Sequence, residues 1–269
     1  MSVPFYKLSA TGNDFVVIDH REKFLRESEL PAFVQTVCAY HTGVGADGLL
    51  LLENHDEADF RMRYFNGDGS YATMCGNGAR AISWFARELS VWKESARFIA
   101  DDGMHRAESD PGRIGITLNI EPTHTEVELS DREKAWSINT GVPHLVLLSE
   151  DLEHEDVNAL GRKYRWDSRF QPEGTNVNFV QVKKDRLQVR TYERGVENET
   201  LACGTGVMAS AIISGEESGL DFPMQITVAG GDLEVTRLED EWMLWGGVDL
   251  VFTGNLVLKN QINLDSTRF

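Results

Sequence analysis

Two short glycine-rich segments carry the residues best suited to chemistry in this sequence. They read Cys75-Gly76-Asn77-Gly78 and Cys203-Gly204-Thr205-Gly206, and they lie 128 residues apart in a chain of 269 residues. Apolar residues at helical spacing follow each segment, which predicts that each cysteine stands at the N-terminus of a helix. The unpaired N–H groups and the positive dipole end of such a helix bind a carboxylate and favour thiolate over thiol.

A thiolate and a thiol on opposite faces of one carbon can invert a stereocentre by proton transfer. The thiolate removes the α-proton and the thiol delivers another from the opposite face. Both sulfurs must then come within roughly 3–3.5 Å of the reacting positions. A disulfide or a zinc site would use the same residues, but no CxxC or HxxxH spacing supports zinc and no metal is predicted. Cys38 lies on the apolar face of a predicted helix and is interpreted as a core residue.

Other features repeat at nearly the same distance as the two cysteines. Thr11-Gly12 matches Thr140-Gly141, the segment 48–52 matches 176–180, and Asn66 matches Glu193. Because these matches occur in the same order, we predict two similar lobes related by a pseudo-twofold axis, with a site between them that receives both cysteines. The abundance of short strands and the scarcity of helices favour an α+β fold.

Composition and charge limit the partners of the protein. The chain has 43 acidic against 26 basic residues, a formal net charge of −17 that repels nucleic acid and anionic membrane surfaces. No apolar run reaches the ~18 residues that a membrane span needs, and the N-terminal residues lack the pattern of a secretory leader. Three cysteines are too few for a disulfide framework. We therefore expect a cytoplasmic protein with reduced thiols and with neither nucleic acid nor membrane as partner.

Six segments group polar residues and glycines around the two cysteines. They are ATGNDFVVID (10–19), GVGADG (43–48), YFNGDGSYATMCGNGAR (64–80), TGVPH (140–144), GTNVNF (174–179) and TYERGVENETLACGTG (191–206). In order and spacing these segments resemble the diaminopimelate epimerase family. Related proline racemases and hydroxyproline epimerases typically carry a histidine at the position of Asn77, which points to the diaminopimelate branch.

The resemblance implies a fold, an activity and an assembly. The fold has two pseudo-symmetric lobes, each a mixed, mostly antiparallel sheet wrapped around a central helix. We expect an N-terminal lobe at 1–120, completed by a C-terminal strand at 258–269, and a C-terminal lobe at 121–257. The implied activity interconverts LL- and meso-2,6-diaminopimelate without a cofactor, for lysine and peptidoglycan precursors. The small-molecule substrate would be diaminopimelate, and the implied assembly is a homodimer.

The resemblance also implies roles for individual residues. Cys75 and Cys203 match the catalytic acid–base pair. The helix-start residues that match those holding the reacting carboxylate are Gly76, Asn77, Gly204 and Thr205. The polar residues that match positions around the substrate are Asn13, Asn66, Asn176, Glu193 and Arg194. His144 and Glu193 match residues that tune the pKa values of the cysteines.

Two positions depart from the common family pattern. Gly48 stands where many members have a glutamine, and Val142 stands where many have an asparagine. Both match positions that contact the distal end of the substrate, and Asp47 is a candidate to compensate. Two alternatives therefore stay open: a racemase of another amino acid on the same fold, and a non-catalytic amino-acid-binding protein.

Overall fold

The described part of the chain forms two compact units. The computed structural model describes residues 2–120, 122–132, 134–239 and 241–257. One unit comprises the described residues of Met1–Ile116 and Gly247–Phe269, and the other comprises those of Thr117–Gly246.

The first unit contains two α-helices and most of the strands that precede residue 117. Its elements are β1 (Ser2–Ala10), β2 (Asn13–Asp19), α1 (Leu30–Cys38), β3 (Gly48–Glu53), β4 (Phe60–Asn66), β5 (Tyr71–Ala72), α2 (Gly76–Glu88), β6 (Ser95–Ala100), β7 (Gly103–Asp110) and β8 (Arg113–Leu118), the last of which runs into the second unit. The pairs β2–β3 and β4–β6 are parallel. The pairs β1–β2, β3–β4, β4–β5, β6–β7 and β7–β8 are antiparallel.

The second unit has a similar series of elements. They are β9 (His124–Glu126), β10 (Ala135–Asn139), β11 (Pro143–Leu148), α3 (Val157–Arg165), β12 (Asn176–Val182), β13 (Leu187–Glu193), β14 (Asn198–Thr200), α4 (Gly204–Ser218), β15 (Met224–Val228), β16 (Gly231–Leu238) and β17 (Glu241–Gly246). The pairs β11–β12 and β13–β15 are parallel. The pairs β9–β10, β10–β11, β12–β13, β13–β14, β15–β16 and β16–β17 are antiparallel.

The pairing pattern of one unit recurs in the other. From β1 to β8 and from β10 to β17, the order of strands and helices is the same, and parallel and antiparallel pairs alternate in the same way. The predicted α+β fold of two pseudo-symmetric, mixed and mostly antiparallel sheets is therefore confirmed. Position 48 of the first unit corresponds to 176 of the second, since each begins the strand that is parallel to its predecessor.

Each unit has one helix at the centre of its sheet. Helix α2 packs against β1, β2, β3 and β4, and α4 packs against β10, β11, β12, β13 and β15. Ten residues of each helix are buried, which is more than one apolar stripe of a surface helix covers. In the sheet of the first unit, every residue of strand β3, with the sequence GLLLLE, is buried as well. Cys38 is buried in a cluster that contains Leu49 and Leu51, as predicted for a core residue.

The division of the chain differs from the predicted one at residues 117–120 and 247–257. The second unit begins at Thr117, four residues before the predicted boundary. Residues 247–257, predicted in the C-terminal lobe, belong to the first unit, where β18 (Asp249–Val257) pairs antiparallel with β1, from Ser9 opposite Asp249 to Ser2 opposite Val257. Backbone hydrogen bonds along this pair attach β18 to the first unit. The predicted strand at 258–269 lies outside the described residues.

Candidate active site

Cys75 is the N-cap residue of α2 in the first unit. Its backbone is extended, and its Sγ accepts a hydrogen bond from the N–H of Gly78 at 3.4 Å. Sγ also lies 3.7 Å from Oδ1 of Asn13, the first residue of β2. The N–H of Gly78 is thus a donor for the thiolate, and Oδ1 of Asn13 is an acceptor for the thiol.

The orientation of Asn13 follows from its second contact. Its Nδ2 donates to Oδ2 of Asp47 at 2.6 Å, which leaves Oδ1 facing Cys75. Asp47 accepts from the N–H of Asp14 as well, and its own N–H donates to Oδ1 of Asp14. Partial desolvation of its carboxylate raises the pKa of Asp47, while the hydrogen bond from Asn13 lowers it. Lys7 forms an ion pair with Asp14, which offsets the charge of this acidic pair.

A buried arginine supports the first turn of α2. Arg80 is fully buried, and its Nη2 donates to Oδ1 of Asn77 at 2.9 Å and to the hydroxyl of Thr11. Burial lowers the pKa of Arg80 to about 10, and attraction to a Cys75 thiolate acts in the opposite direction. The guanidinium therefore remains charged at neutral pH, and the same attraction stabilises the thiolate. Sequence reasoning missed this residue, although it stands in the quoted segment MCGNGAR.

Asn66 lies at the end of β4. Its Nδ2 donates to the hydroxyl of Ser70 at 3.0 Å within a tight turn. In the sheet it is opposite Gly48, which in turn is opposite Phe15.

A side chain at position 48 has no room in this backbone. A Cβ atom on Gly48 would lie 2.6 Å from the carbonyl oxygen of Phe65 and 2.6 Å from Cε2 of Tyr64. The ring of Tyr64 thus occupies the space that a glutamine at position 48 would enter. Asp47 is exposed and lies one residue away, beside Asn13.

Cys203 is the N-cap residue of α4 in the second unit and is buried. Its Sγ lies 3.5 Å from the hydroxyl of Thr205. The carbonyl of Thr205 accepts from the hydroxyl of Thr140 at 2.9 Å, which fixes the helix start against the end of β10. Thr140 is the second residue near a cysteine that sequence reasoning did not select.

His144 is a neutral, fully buried imidazole two contacts away from Cys203. Its Nε2 lies 3.0 Å from the hydroxyl of Thr205, and its Nδ1 lies 3.0 Å from Nδ2 of Asn178. Burial lowers the pKa of His144 to about 3, and the charge of Arg194 lowers it further. The ring therefore acts through hydrogen bonds and carries no charge at neutral pH.

The remaining predicted residues of the second unit lie at the ends of β12 and β13. Asn176 is buried; its Oδ1 accepts from the N–H of Arg194 at 2.8 Å and its Nδ2 donates to the carbonyl of Pro143 at 3.3 Å. Arg194 is half-buried, and its Nη1 donates to the carbonyl of Glu173 at 3.2 Å. Glu193 is half-buried at the end of β13. Asn176 thus holds the backbone of the arginine that follows Glu193.

The surroundings of Cys75 and of Cys203 share one chemical capacity. Each cysteine lies at the amide end of a buried helix: the Gly78 N–H and Asn13 Oδ1 face Cys75, and the Thr205 hydroxyl faces Cys203. A sulfur atom that has a hydrogen-bond partner both as thiol and as thiolate can take up a proton and release it. The surroundings of the two cysteines differ in charge, because Arg80 is cationic and His144 is neutral.

Solved structures of other proteins share this fold. A phenazine biosynthesis protein of the PhzF family from Enterococcus faecalis aligns with a TM-score of 0.75 at 15% identity, covering 96% of this chain and 100% of that one. A hydroxyproline epimerase from Agrobacterium vitis aligns with a TM-score of 0.65 at 11% identity, covering 97% of this chain and 94% of that one. The chain is therefore a two-unit α+β protein of this fold, with a cysteine at the start of each central helix.

Sequence comparison identifies the family within this fold. The sequence model described as diaminopimelate epimerase matches residues 5–121 and 136–251. The diaminopimelate epimerase of Aquifex aeolicus is 46% identical, over 94% of this chain and 97% of its own length. That of Archaeoglobus fulgidus is 39% identical, over 98% of this chain and 100% of its own length. The chain belongs to the diaminopimelate epimerase family of isomerases.

Proposed function

We propose that the protein interconverts LL- and meso-2,6-diaminopimelate by proton transfer at the α-carbon. The observation that carries this proposal is the N-cap position of Cys75 and of Cys203 on equivalent central helices, in a chain of this family. Inversion needs one sulfur on each face of the carbon, one as thiolate and one as thiol. After each turnover the two protonation states are exchanged, so the reaction runs in both directions.

The helix-start groups of both units have the chemistry to hold the reacting carboxylate. Backbone N–H groups in the first turns of α2 and α4 attract an anion, Thr205 contributing its backbone N–H, and Asn77 adds a side-chain donor there. Arg194 has a guanidinium able to grip a carboxylate. Asn13, Glu193 and the exposed Asp47 supply acceptors for the ammonium groups of the substrate. Asn66 and Asn176 complete the proposed set, Asn176 by holding Arg194 in place.

The proposed activity is tested by α-proton exchange, followed by NMR in D₂O under reducing conditions. LL- and meso-diaminopimelate are offered to the wild-type protein, to Cys75→Ala and to Cys203→Ala. We expect exchange with inversion in the wild type and a loss of inversion of at least ~10³-fold in each variant, because the two sulfurs act as one unit.

Cys38→Ala is the matched control for the two cysteine variants. Burial raises the pKa of Cys38 to about 12, so this thiol stays protonated at neutral pH. Its removal should leave exchange unchanged. Wild-type protein with all three thiols reduced and no exchange on either isomer would contradict the proposal, and exchange on another amino acid would support the alternative racemase. Tight binding of diaminopimelate without exchange would support a binding protein.

We further propose a homodimer that works in the cytoplasm. Support for the dimer comes from β18, where Leu250, Val251 and Phe252 are each 45–56% exposed. A strand that presents three consecutive apolar side chains to solvent is typical of an interaction surface. Sedimentation in solution tests the assembly, and a monomer at micromolar concentration would contradict it.

No helix in the described part of the chain combines the length and the apolar character needed to cross a bilayer.

A further inference from the structure

A buried polar cluster in the second unit is replaced mostly by apolar side chains at the equivalent positions of the first. His144, Asn178 and Thr191 are at most 4% exposed. The strand pairings identify the equivalent positions in the first unit. His144 lies opposite Asn176 between β11 and β12, as Phe15 lies opposite Gly48 between β2 and β3. Asn178 lies opposite Thr191 between β12 and β13, as Leu50 lies opposite Tyr64 between β3 and β4.

The equivalents in the first unit are largely apolar and equally buried. Phe15 and Leu50 are fully buried, so the fold accepts apolar side chains at these two places. Burial of an imidazole and an amide costs free energy unless every polar atom finds a partner. The second unit therefore carries a cluster that the fold itself does not require.

The contacts of Asn178 fix the direction of its amide. Its Nδ2 donates to the carbonyl of Leu145 at 3.1 Å, and its Oδ1 accepts from the hydroxyl of Thr191 at 3.0 Å. Since a carbonyl oxygen only accepts, reversal of the amide would place two acceptors against each other. The same Nδ2 faces Nδ1 of His144 at 3.0 Å. Nδ1 must therefore accept, and the single proton of the neutral ring lies on Nε2.

We propose that Asn178 is a positioning residue that selects the Nε2–H tautomer of His144 and thereby directs the hydroxyl proton of Thr205 toward Cys203. Nε2–H donates to Oγ1 of Thr205 at 3.0 Å, and Oγ1 lies 3.5 Å from Sγ. A hydroxyl that already accepts from His144 has its own proton free for the sulfur. The thiolate of Cys203 thus gains a donor without a buried positive charge.

The second glycine of the motif makes room for this arrangement. A Cβ atom on Gly206 would lie 2.3 Å from Oδ1 of Asn178. In the first unit a Cβ on Gly78 would be 3.3 Å from Cδ2 of Leu50, a tight contact with the end of a flexible side chain. Asn178 therefore sits directly beneath the start of the helix that Cys203 caps. The importance of this series of hydrogen bonds for catalysis rests on the proposed function. The tautomer of His144 and the protonation state of Cys203 do not depend on it.

The test uses protein labelled with ¹⁵N in histidine and ¹³Cβ in cysteine, without substrate. His144→Gln and Cys203→Ala assign the two signals. In the wild type at neutral pH we expect Nε2 to be protonated and Nδ1 to be unprotonated. In Asn178→Leu, which copies Leu50, no donor faces Nδ1 and the Nδ1–H form becomes populated. The thiolate-to-thiol ratio of Cys203 at a given pH should then fall about tenfold, the effect of one hydrogen bond to a charged group.

Thr191→Val is the matched control, because it disturbs Asn178 but leaves both Nδ2 contacts in place. It should keep the Nε2–H form and the titration of Cys203. A protonated Nδ1 in the wild type overturns the proposal, and this result does not depend on any variant folding. A folded Asn178→Leu with an unchanged tautomer, an unmoved Cys203 titration, or effects matched by Thr191→Val would also overturn it. Failure of the epimerase assay would leave these readouts untouched, so the two proposals fail separately.

Discussion

At the scale of single residues, the two cysteines have the same backbone setting and different electrostatic surroundings. Both cap a glycine-rich helix start. Arg80 places a permanent positive charge within reach of Cys75, whereas the residue at the equivalent position of the second unit is the buried, uncharged Met208. Cys203 depends instead on neutral hydrogen bonds through Thr205 and His144. Equivalent helix dipoles are therefore supplemented by charge in one unit and by donors in the other.

Arg80→Met should lower the reactivity of Cys75, because the variant copies Met208 and removes the cation that favours the thiolate. We expect alkylation of Cys75 by iodoacetamide at pH 7 to slow about tenfold, as followed by peptide mass spectrometry, with a similar fall in kcat/KM. Arg80→Lys keeps the charge but cannot bridge Asn77 and Thr11 in the same way, and it should retain most of the reactivity. Equal rates for wild type and Arg80→Met would show that the helix start alone sets the reactivity.

At the scale of elements, the repeat makes the two helix starts comparable position by position. The second glycine after each cysteine faces the strand beneath the helix, at Leu50 in the first unit and at Asn178 in the second. The end of an apolar side chain can move by a small amount to relieve a close contact, but an amide held by hydrogen bonds cannot.

Gly206→Ala should therefore be far more harmful than Gly78→Ala. The new Cβ would lie 2.3 Å from Oδ1 of Asn178 in the first case and 3.3 Å from Leu50 in the second. We expect Gly206→Ala to reduce the free energy of unfolding by about 2 kcal/mol and kcat/KM by more than tenfold, and Gly78→Ala to cost less than about 1 kcal/mol. Urea unfolding measures the loss of stability and steady-state kinetics the loss of activity. Equal losses in the two variants would contradict the close approach of Gly206 to Asn178.

At the scale of the whole molecule, which carries a net charge of −17, the buried carboxylate of Glu53 makes the folding stability sensitive to acid. In the first unit Glu53 accepts from His20 at 2.9 Å, and Arg63 bridges Glu53 and Glu27. Burial alone would raise the pKa of Glu53, but the hydrogen bond from His20 and the charge of Arg63 lower it to about 2 from 4.5. The unfolded chain binds this proton more readily, so the contribution of Glu53 to stability is full above pH 4.5 and is lost as the pH falls toward 2.

Glu53→Gln should reduce the free energy of unfolding at pH 7 by about 3 kcal/mol, because it leaves Arg63 without its buried carboxylate. The difference between wild type and variant should shrink as the pH falls from 4.5, since the wild-type carboxylate becomes protonated on unfolding. Urea unfolding between pH 7 and pH 3 measures both effects. Glu57→Gln, at an exposed position, is the control and should change stability by less than about 0.5 kcal/mol at every pH. A constant difference across this range would contradict the role of Glu53.

Local patterns in the sequence were sufficient to predict the two helix N-termini and the internal repeat. A cysteine followed by two glycines and an apolar helix predicts its own N-cap position, because capping depends only on the next three or four residues. The recurrence of strands, turns and cysteines at one distance was enough to predict two similar lobes, since equal patterns bury equal faces. The family resemblance added the names of the polar residues but not their partners.

Only the tertiary structure decided which polar side chains meet and which charges are buried. The strand Asp249–Val257 joins β1 from the far end of the chain, so no local pattern could assign it to the first unit. Arg80 and Asn178 look like ordinary polar residues in the sequence; their roles follow from Thr11, 69 residues from Arg80, and from Leu145, 33 residues from Asn178. Hydrogen-bond direction and desolvation depend on every atom around a group, and those atoms come from distant parts of the chain.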